Sequence, residues 1–324
     1  MPRAFVTGIS GQDGSYLADR LVAEGVEVHG LVRSRDPAGE ALAARHPAIV
    51  LHEGDLADHD GLARLVADLR PDEIYNLAGM TSVAQSWEQP ALTGLVTGVA
   101  VVSLLEAALA LGDGVRVFQA SSSEIFGRPA ISPQDESTPL QPNSPYGAAK
   151  VYAHEMCRLL RARGLFVATG ILYNHESPRR PDTFVTRKIT KAAARISLGL
   201  QDELRLGDLS AARDWGWAPD YVDAMVRIIR HDTPSDFVVA TGESRTVGEF
   251  ADAAFRAAGI DDASSYISVD ESFVRPAEIG EMRGDASRAR DELGWRTTVG
   301  FDELVAHMVE ADLVEARAEA GRSG

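Results

Sequence analysis

The stretch that decides the fold is TGISGQDG, residues 7–14. Its three glycines stand three residues apart, after the strand-like run Ala4–Thr7 and before a helical pattern that begins near Ser15. Glycine lets the backbone turn tightly and approach a pyrophosphate, which the free N–H groups of a helix N-terminus then bind. The position of the loop between a strand and a helix predicts a dinucleotide site. The residues assigned to this site are Gly8, Gly11, Gln12, Asp13 and Gly14.

From this loop to Leu172 the chain alternates β-branched runs with helical patterns. The alternation predicts a parallel sheet with crossover helices, and right-handed crossovers make it a doubly wound α/β sheet of the Rossmann type. Beyond Leu172 the alternation loosens. We therefore expect a dinucleotide-binding domain with the catalytic residues over 1–172 and a smaller α/β substrate lobe over 173–324, with segments exchanged between them.

Individual elements follow from the same patterns. The predicted strands are Ala4–Thr7, Val26–Val32, Ile49–Glu53, Glu73–Leu77, Val115–Ala120 and Phe166–Leu172. Predicted helices begin near Ser15, His59, Leu92 and Ser144, and later ones cover Phe184–Leu198, Tyr221–Arg230, Val247–Ala258 and Phe301–Val314. The polar residues Glu315–Gly324 are expected to fray.

Composition narrows the classes of partner and compartment. The 324 residues carry 48 acidic and 32 basic side chains, a net charge of −16, which argues against nucleic acid as a partner. The single cysteine, Cys157, cannot form an internal disulfide, and no signal-peptide pattern precedes Arg3, so a cytoplasmic protein is expected. The apolar stretch Leu92–Leu111 contains Ser103 and Glu106, which favours a buried or interface helix over a membrane span. We expect no membrane and no metal.

The residues after the second and later strands bear on the choice of cofactor. An acidic residue about 20 positions beyond the glycines usually binds the ribose hydroxyl of NAD. Here the second strand runs into Arg33-Ser34-Arg35, and two guanidiniums suit the 2′-phosphate of NADP. The alternative is that both arginines lie on a solvated loop, and the acidic Asp36 next to them weakens the argument for NADP. The further residues assigned to the cofactor are Asp55 and Leu56 at the adenine, and Leu77, Ala78 and Gly79 beneath the nicotinamide ribose.

Tyr146 and Lys150 stand four residues apart at the start of a predicted helix, so their side chains emerge on one face. A free tyrosine has a pKa of about 10 and is a poor base at neutral pH. A neighbouring ammonium favours the phenolate and lowers that pKa. The pair therefore predicts a tyrosine base in a redox site. The alternative is a tyrosine at a helix start beside a solvated lysine.

The fifth predicted strand ends in Gln119-Ala120-Ser121-Ser122-Ser123-Glu124, which places hydroxyls and a carboxylate at the carboxyl edge of the sheet. A simple alcohol dehydrogenase has no need of the second acid–base group that Glu124 provides. A hydroxyl oriented by Ser122, a base at Tyr146 and a second base at Glu124 suggest oxidation followed by proton abstraction beside the new carbonyl. The alternative for Glu124 is a solvated turn carboxylate.

Further motifs extend along nearly the whole chain. With these motifs the sequence resembles the extended short-chain dehydrogenase/reductase family and, within it, the GDP-mannose 4,6-dehydratases. The segments that carry the resemblance are GISGQDGSYL (8–17), PDEIYNLA (71–78), QASSSEIFG (119–127), SPYGAAK (144–150), NHESPRR (174–180), FVTRKIT (184–190), RDWG (213–216), ATG (240–242) and RPAE (275–278).

The resemblance implies a mechanism. Hydride leaves C4 of the hexose for NADP while Tyr146 accepts the hydroxyl proton, Glu124 removes the C5 proton, water leaves C6 and the hydride returns there. Ser122 matches the family's catalytic threonine. The resemblance also implies that His175 and Arg180 contact the cofactor. Residues it implies for the substrate are Thr81, Ser122, Glu124, Asn174, Val185, Lys188, Arg213, Arg275 and Glu278.

Several positions depart from the family pattern. Ser122 stands for threonine, Asn143 for a common arginine, and Gly79-Met80-Thr81 for Ala-Gln-Ser, which leaves room for another GDP-sugar such as a GDP-heptose. The segment 33–36 replaces an Arg-Arg-Ser-Ser loop of the family's tetramers, so both a homodimer and a homotetramer stay open. Two rival functions also stay open. A reductase or epimerase of nucleotide sugars does not need Glu124, and a silent dinucleotide sensor does not need Tyr146 and Lys150.

Overall fold

The computed structural model describes residues 1–112, 114–270 and 281–323. The strands are β1 Arg3–Thr7, β2 Glu27–Val32, β3 Val50–Glu53, β4 Glu73–Asn76, β5 Arg116–Ala120, β6 Phe166–Leu172, β7 Asn174–Glu176, β8 Leu204–Leu206, β9 Ala212–Trp217, β10 Asp236–Val239, β11 Ser244–Thr246, β12 Ile267–Val269 and β13 Glu281–Met282. The helices are α1 Gln12–Ala23, α2 Pro37–Arg45, α3 His59–Leu69, α4 Val83–Glu88, α5 Pro90–Gly94, α6 Ala100–Leu111, α7 Pro145–Arg161, α8 Val185–Ser197, α9 Ala218–Arg230, α10 Val247–Ala257, α11 Ser287–Leu293 and α12 Phe301–Ser323. A π-helical turn, Leu95–Val99, joins α5 to α6, and a short 3₁₀ turn covers Ser123–Ile125.

Seven strands form one sheet in the order β10-β6-β5-β4-β1-β2-β3, and every neighbouring pair is parallel. The prediction of a doubly wound parallel sheet is confirmed. The chain order reverses between β1 and β4, which is where ligands bind at the carboxyl ends of such sheets. Ala4, Phe5 and Val6 of β1 are fully buried, as expected for a central strand covered on both faces.

The last strand of the large sheet comes from late in the chain. Strand β10 pairs with β6, and α9 packs against α1. Part of the chain beyond residue 172 therefore lies in the large sheet. We propose that residues 1–172 and 173–324 form two lobes, and that β10 and α9 of the second lobe pack into the first.

The smaller layer packs around its own apolar cluster. Strand β9 pairs with β7, β11 and β13, and helices α8, α10 and α12 pack on one another beside it. Trp215 on β9 contacts Phe250 of α10 edge-on, with ring centroids 5.1 Å apart. This layer stands next to the carboxyl end of the large sheet, because β7 follows β6 after a single residue, Tyr173.

The apolar helical segment Pro90–Leu111 is long and apolar enough to cross a membrane by length and composition alone. In this fold α6 packs against α3 and α7, and Leu104 and Leu105 are fully buried. Leu92 and Val99, in contrast, are exposed. One face of the segment belongs to the core and another is left at the surface.

The end of the chain differs from the prediction. Helix α12 does not end near Val314 but continues to Ser323. Glu315 lies 3.3 Å from Arg187, and Glu319 pairs with Arg195, so both acidic side chains meet α8. The buried Ala316 lies between them in sequence. Tertiary contacts of this kind stabilise a polar helix end that has little support from its own sequence.

Candidate functional site

The glycine loop turns tightly between β1 and α1. Gly8 has φ +72°, in the left-handed region that favours glycine. A Cβ atom at Gly14 would lie 2.2 Å from the Gly8 carbonyl oxygen, so only glycine fits there. Helix α1 begins at Gln12, with Gly11 as its N-cap, and its first N–H groups stand at the sheet's carboxyl edge. These residues fit a dinucleotide whose phosphates bind a helix N-terminus.

The side chains after β2 divide into two groups. Arg33 and Arg35 are exposed, and Arg35 has φ +56°. Asp36 caps α2 by accepting from Ala38 N at 3.1 Å, and it also accepts from Ser10 Oγ at 2.6 Å. The Asp36 carboxylate thus fixes the glycine loop against the segment after β2, while the two guanidiniums beside it stay exposed.

After β3 and β4 the chain places the other predicted cofactor residues. Asp55 is exposed and accepts from Ala57 N at 2.9 Å, whereas Leu56 is partly buried against the apolar core. Thr7 Oγ1 accepts from Leu77 N at 3.2 Å and from Ala78 N at 3.1 Å. This hydroxyl holds Leu77 and Ala78 beside the glycine loop, where a Cβ atom on Gly8 would lie 3.0 Å from Ala78 N.

A cavity of about 560 Å³ opens between the large sheet and the smaller layer. The fold brings together at this cavity predicted site residues from seven separate parts of the chain. They are Asp13, Leu77, Thr81, Ser122, Glu124, Tyr146, Lys150, Asn174, His175, Arg180, Val185, Lys188 and Arg213. Arg275 and Glu278 lie outside the described residues.

Tyr146 is buried on the first turn of α7 and shares a side-chain hydrogen bond with Ser122. Burial, and to a smaller extent the negative charge of Glu124, raises the pKa of Tyr146 to about 12. The Ser122 hydrogen bond and the positive charge of Arg180 act in the opposite direction. Burial thus holds Tyr146 as a phenol, and its activation requires positive charge.

Lys150 lies one turn further along α7, with its ammonium 5.8 Å from the centroid of the Tyr146 ring. Its Nζ donates to the Ala120 carbonyl oxygen at 2.7 Å. Burial lowers the pKa of Lys150 to about 8. The solvated-lysine alternative is therefore wrong, because the side chain is buried among the predicted catalytic residues.

A chain of buried side chains reaches Lys150 from the sheet, and the sequence reasoning missed it. Thr7 Oγ1 donates to Asn76 Oδ1 at 2.6 Å, and Asn76 Nδ2 donates to Gln119 Oε1 at 2.7 Å. Gln119 Nε2 then donates at 2.8 Å to Ala120 O, the same oxygen that Lys150 uses. The only sign of this chain in the sequence was that β1, β4 and β5 each carry a polar residue at or next to their last position. It becomes meaningful once β1, β4 and β5 are known to be neighbours.

The first turn of α8 explains the motif FVTRKIT. Val185 and Lys188 line the cavity, whereas the two residues between them anchor the helix. Thr186 Oγ1 donates to the buried Glu176 on β7 at 2.6 Å. The buried Arg187 pairs with Asp312 of α12. Four consecutive residues therefore divide between lining the cavity and holding the helix that lines it.

The motif RDWG divides in the same way along β9. Arg213 is buried and lines the cavity. The neighbouring Asp214 carboxylate accepts from Thr241 N and Gly242 N, both at 2.9 Å. The motif ATG thus serves as the hydrogen-bonding partner of RDWG, and the two support Arg213 at the cavity wall.

The pair Gln12-Asp13 joins the glycine loop to β7. Gln12 Nε2 donates to His175 O at 3.0 Å, and Ser177 Oγ donates to Gln12 Oε1 at 2.8 Å. Asp13 Oδ2 lies 2.8 Å from His175 Nε2. Arg180 pairs with Glu176 at 3.1 Å and stacks on the Phe184 ring. The side chains predicted from the glycine loop and from NHESPRR therefore meet in one charged wall.

The sequence profile of the family described as "GDP-mannose 4,6 dehydratase" matches residues 5–308. The chain belongs to this family. The match covers the glycine loop, the Ser122–Glu124 turn, the Tyr146–Lys150 helix and the cavity-lining layer. The resemblance inferred from the motifs is thereby confirmed.

Curated members of the GDP-mannose 4,6-dehydratase family align with nearly the whole chain. GDP-mannose 4,6 dehydratase 2 of Arabidopsis thaliana is 46% identical, over 98% of this chain and 88% of its own length. GDP-mannose 4,6 dehydratase of Homo sapiens is 41% identical, over 96% of this chain and 91% of its own length. These relatives confirm the prediction of a nucleotide-sugar 4,6-dehydratase.

Solved structures show the same fold. The UDP-glucose 4-epimerase of Thermotoga maritima superposes with a TM-score of 0.86, covers 98% of this chain and 99% of its own, and is 23% identical, a likeness of fold alone. The structure of RMD from Pseudomonas aeruginosa, complexed with NADPH, has a TM-score of 0.80 and 26% identity, over 97% of this chain and 100% of its own. The GDP-mannose 4,6-dehydratase family thus shares its scaffold with nucleotide-sugar epimerases.

Proposed function

We propose that this protein converts a GDP-linked hexose, with GDP-mannose favoured, into the 4-keto-6-deoxy sugar with loss of water. The observation that carries the proposal is the position of Glu124 on the wall of the same cavity as Ser122, Tyr146 and Lys150. A carboxylate beside an oxidising centre can remove a proton that the new ketone makes acidic. Family membership supports the same reaction.

The cofactor that fits the glycine loop is a nicotinamide dinucleotide, and we favour NADP over NAD. Glycine at position 14, where a Cβ atom would meet the Gly8 carbonyl oxygen, supports a tight loop that binds a diphosphate. Arg33 and Arg35 supply two positive charges after β2, while Asp36 is engaged by α2 and Ser10. When bound, the cofactor takes a hydride from the sugar and returns it.

Tyr146 removes the proton of the sugar's C4 hydroxyl in this proposal. The hydrogen bond between Ser122 and Tyr146 supports a role for Ser122 in orienting the same hydroxyl. Lys150 supplies the positive charge that favours the phenolate, because opposite charges at short range stabilise the ionised form. The buried site keeps water from competing for these hydrogen bonds.

Glu124 acts one carbon further along the sugar. Oxidation at C4 makes the C5 proton acidic, and the carboxylate removes it as water leaves C6. A positioned general base of this kind typically contributes about 10²–10⁴-fold to the rate. A reductase or epimerase uses Tyr146 and Lys150 alone, so Glu124 is the residue that favours a dehydratase.

The nucleotide end is assigned to the smaller layer. Arg213 can form paired, charge-assisted hydrogen bonds with a diphosphate, and Lys188 adds a second cation. Asn174, Val185 and Thr81 line the same cavity. We keep Arg275 and Glu278 in this assignment on the strength of the family motif. A related sugar such as a GDP-heptose is the second candidate, because Ser122, Asn143 and 79–81 depart from the pattern.

We further propose a cytoplasmic homodimer or homotetramer that does not act at a membrane. Two helical segments that pack on each other carry exposed apolar side chains. They are Leu92 and Val99 on Pro90–Leu111, and Tyr152 and Leu159 on α7. A second copy that covers them would remove this surface from water. The same copy would account for the exposed face of Pro90–Leu111.

The test is a product assay with purified protein. NADP is supplied, and GDP-, UDP- and dTDP-linked sugars are offered separately, followed by mass spectrometry of each mixture. GDP-mannose should lose one water. If no nucleotide sugar loses water, or if one is only reduced or epimerised, the dehydratase proposal is wrong.

A further inference from the structure

Both ring nitrogens of His175 face hydrogen-bond acceptors. Nδ1 lies 2.7 Å from the Tyr173 carbonyl oxygen, and Nε2 lies 2.8 Å from Asp13 Oδ2. A neutral imidazole carries one N–H and cannot donate to both. The His175–Asp13 pair therefore holds an extra proton, and its ionic form is an imidazolium beside a carboxylate.

The surroundings of the pair favour this ionic form. Burial alone would lower the pKa of His175, but the Asp13 carboxylate outweighs burial and raises it. Burial likewise works to raise the pKa of Asp13, and the combined effect of His175, Gln12 and Arg180 lowers it instead. The His175 ring is buried and stacks on Tyr221 with centroids 4.4 Å apart.

Other charged groups face the pair from each neighbouring element. They are Arg180 in the loop after β7, Glu176 on β7, and Tyr146 and Lys150 on α7. Arg180 and Glu176 pair with each other at 3.1 Å. The imidazolium of His175 is thus the group that directly balances the charge of Asp13.

Asp13 places a negative charge where the diphosphate is expected to bind. It is the second residue of α1, it belongs to the glycine loop, and it lines the cavity. The helix N-terminus that stabilises its carboxylate is the one expected to hold the diphosphate. Two anions would compete for one terminus unless one of them is neutralised.

We propose that His175 is a positioning residue whose imidazolium cancels the charge of Asp13, so that the glycine loop binds a dinucleotide diphosphate beside an acidic side chain. The inference rests on the proposed function, because it requires the dinucleotide at this loop. Asp13 and Gln12 in turn anchor the loop to β7. Above the pKa of His175 the pair loses its proton, becomes net negative and opposes the diphosphate, so dinucleotide affinity falls.

The test is a double-mutant cycle on NADP⁺ affinity, measured by calorimetry from about pH 6.5 to 9.5. His175→Gln should weaken binding by ~10-fold or more, since it leaves a carboxylate facing the diphosphate. Adding Asp13→Asn should restore most of that loss. Asp13→Asn alone should lose the alkaline decline, because it removes the carboxylate of the pair, whatever its affinity at the lowest pH. His154→Gln is the matched control, a buried histidine whose Nε2 lies 4.0 Å from Asp236.

The outcomes distinguish failure of the charge-cancelling role of His175 from failure of the proposed function. If the losses from the single variants simply add, or if Asp13→Asn restores nothing, His175 contacts the dinucleotide directly and the charge-cancelling role is overturned. If Asp13→Asn keeps the alkaline decline of wild type, the pair is not its source. If wild type binds neither NADP⁺ nor NAD⁺, the proposed function fails instead. Thermal unfolding of each variant identifies a loss caused by misfolding, and Asp13→Asn then provides the independent measurement.

Discussion

The Lys150 ammonium lies 5.8 Å from the centroid of the Tyr146 ring, and both side chains are buried on one face of α7. Burial shifts the two pKa values in opposite directions, raising that of Tyr146 to about 12 and lowering that of Lys150 to about 8. Each group alone is thus held towards its neutral form. In the proposed mechanism the Lys150 ammonium favours the Tyr146 phenolate, so the base depends on the lysine keeping its proton.

Activity should therefore decline as the pH rises above about 8, where Lys150 loses its proton. The pKa of Lys150 is lowered, so the ammonium is present below this pH and absent above it. Lys150→Arg keeps a cation at all of these pH values and should remove the alkaline decline, whatever its maximal rate. The profile of kcat/KM from about pH 6 to 10 checks both. An unchanged alkaline limb in Lys150→Arg would assign the limb to another group.

Glu124→Gln should retain the fold and the binding of cofactor and substrate but lose about 10²–10⁴-fold in turnover, because it removes the base for C5. In deuterium oxide, the wild-type product should carry one solvent deuteron at C5, and the hydrogen moved from C4 to C6 should remain unlabelled. Mass spectrometry and NMR of the product measure this. Near-normal dehydration by Glu124→Gln, or product without label at C5, contradicts the role of Glu124.

Tyr146→Phe is the matched comparison, because it acts before Glu124. Loss of the phenol hydroxyl should block oxidation at C4. Substrate recovered from Tyr146→Phe should therefore carry no deuterium at C5, since no 4-keto group forms to acidify that proton. Deuterium at C5 in this variant would place proton removal ahead of oxidation.

Arg35→Asp should narrow or invert the preference for NADP⁺ over NAD⁺. The variant replaces an exposed guanidinium after β2 by a carboxylate, which repels a 2′-phosphate and can bind a ribose hydroxyl. Calorimetry with both cofactors measures the ratio of dissociation constants. If wild type binds NAD⁺ more tightly, our interpretation of the segment after β2 is wrong.

Arg213→Ala should lower kcat/KM for the GDP-sugar. The lost transition-state stabilisation should be about 2 kcal/mol or more, the size expected for a desolvated charged hydrogen bond. Arg205→Ala is the control, an exposed arginine in the same layer that pairs with Glu203 at 3.0 Å. Steady-state kinetics with GDP- and UDP-sugars measure the effect. Equal turnover of both substrates by wild type would remove the guanine assignment and leave the diphosphate role intact.

Wild type should be at least a homodimer by light scattering at micromolar concentration. Val99→Asp or Leu159→Asp should shift it towards the monomer, because each places a charge in the exposed apolar face of the paired helices. Val314→Asp, at an exposed position on α12, should leave the assembly unchanged. A monomeric wild type would refute the proposal.

The sequence by itself determined the local chemistry of this protein. The glycines of 8–14 predict a loop that only they can form, and the alternation up to Leu172 predicts the parallel sheet. The four-residue spacing of Tyr146 and Lys150 predicts a shared helix face. Each of these signals lies within one or two elements. Periodicity and turn chemistry act over that distance, so they can be read without a structure.

Only the tertiary structure decided which distant groups meet. Asp13 and His175 are 162 residues apart, and the buried pair Arg187–Asp312 spans 125. The hydrogen-bonded series from Thr7 through Asn76 depends on the neighbour order of β1, β4 and β5. No local pattern contains such pairings, because they follow from how sheets and helices pack once their apolar faces are buried. The same packing extends α12 to Ser323, where the isolated sequence offers too little to hold a helix.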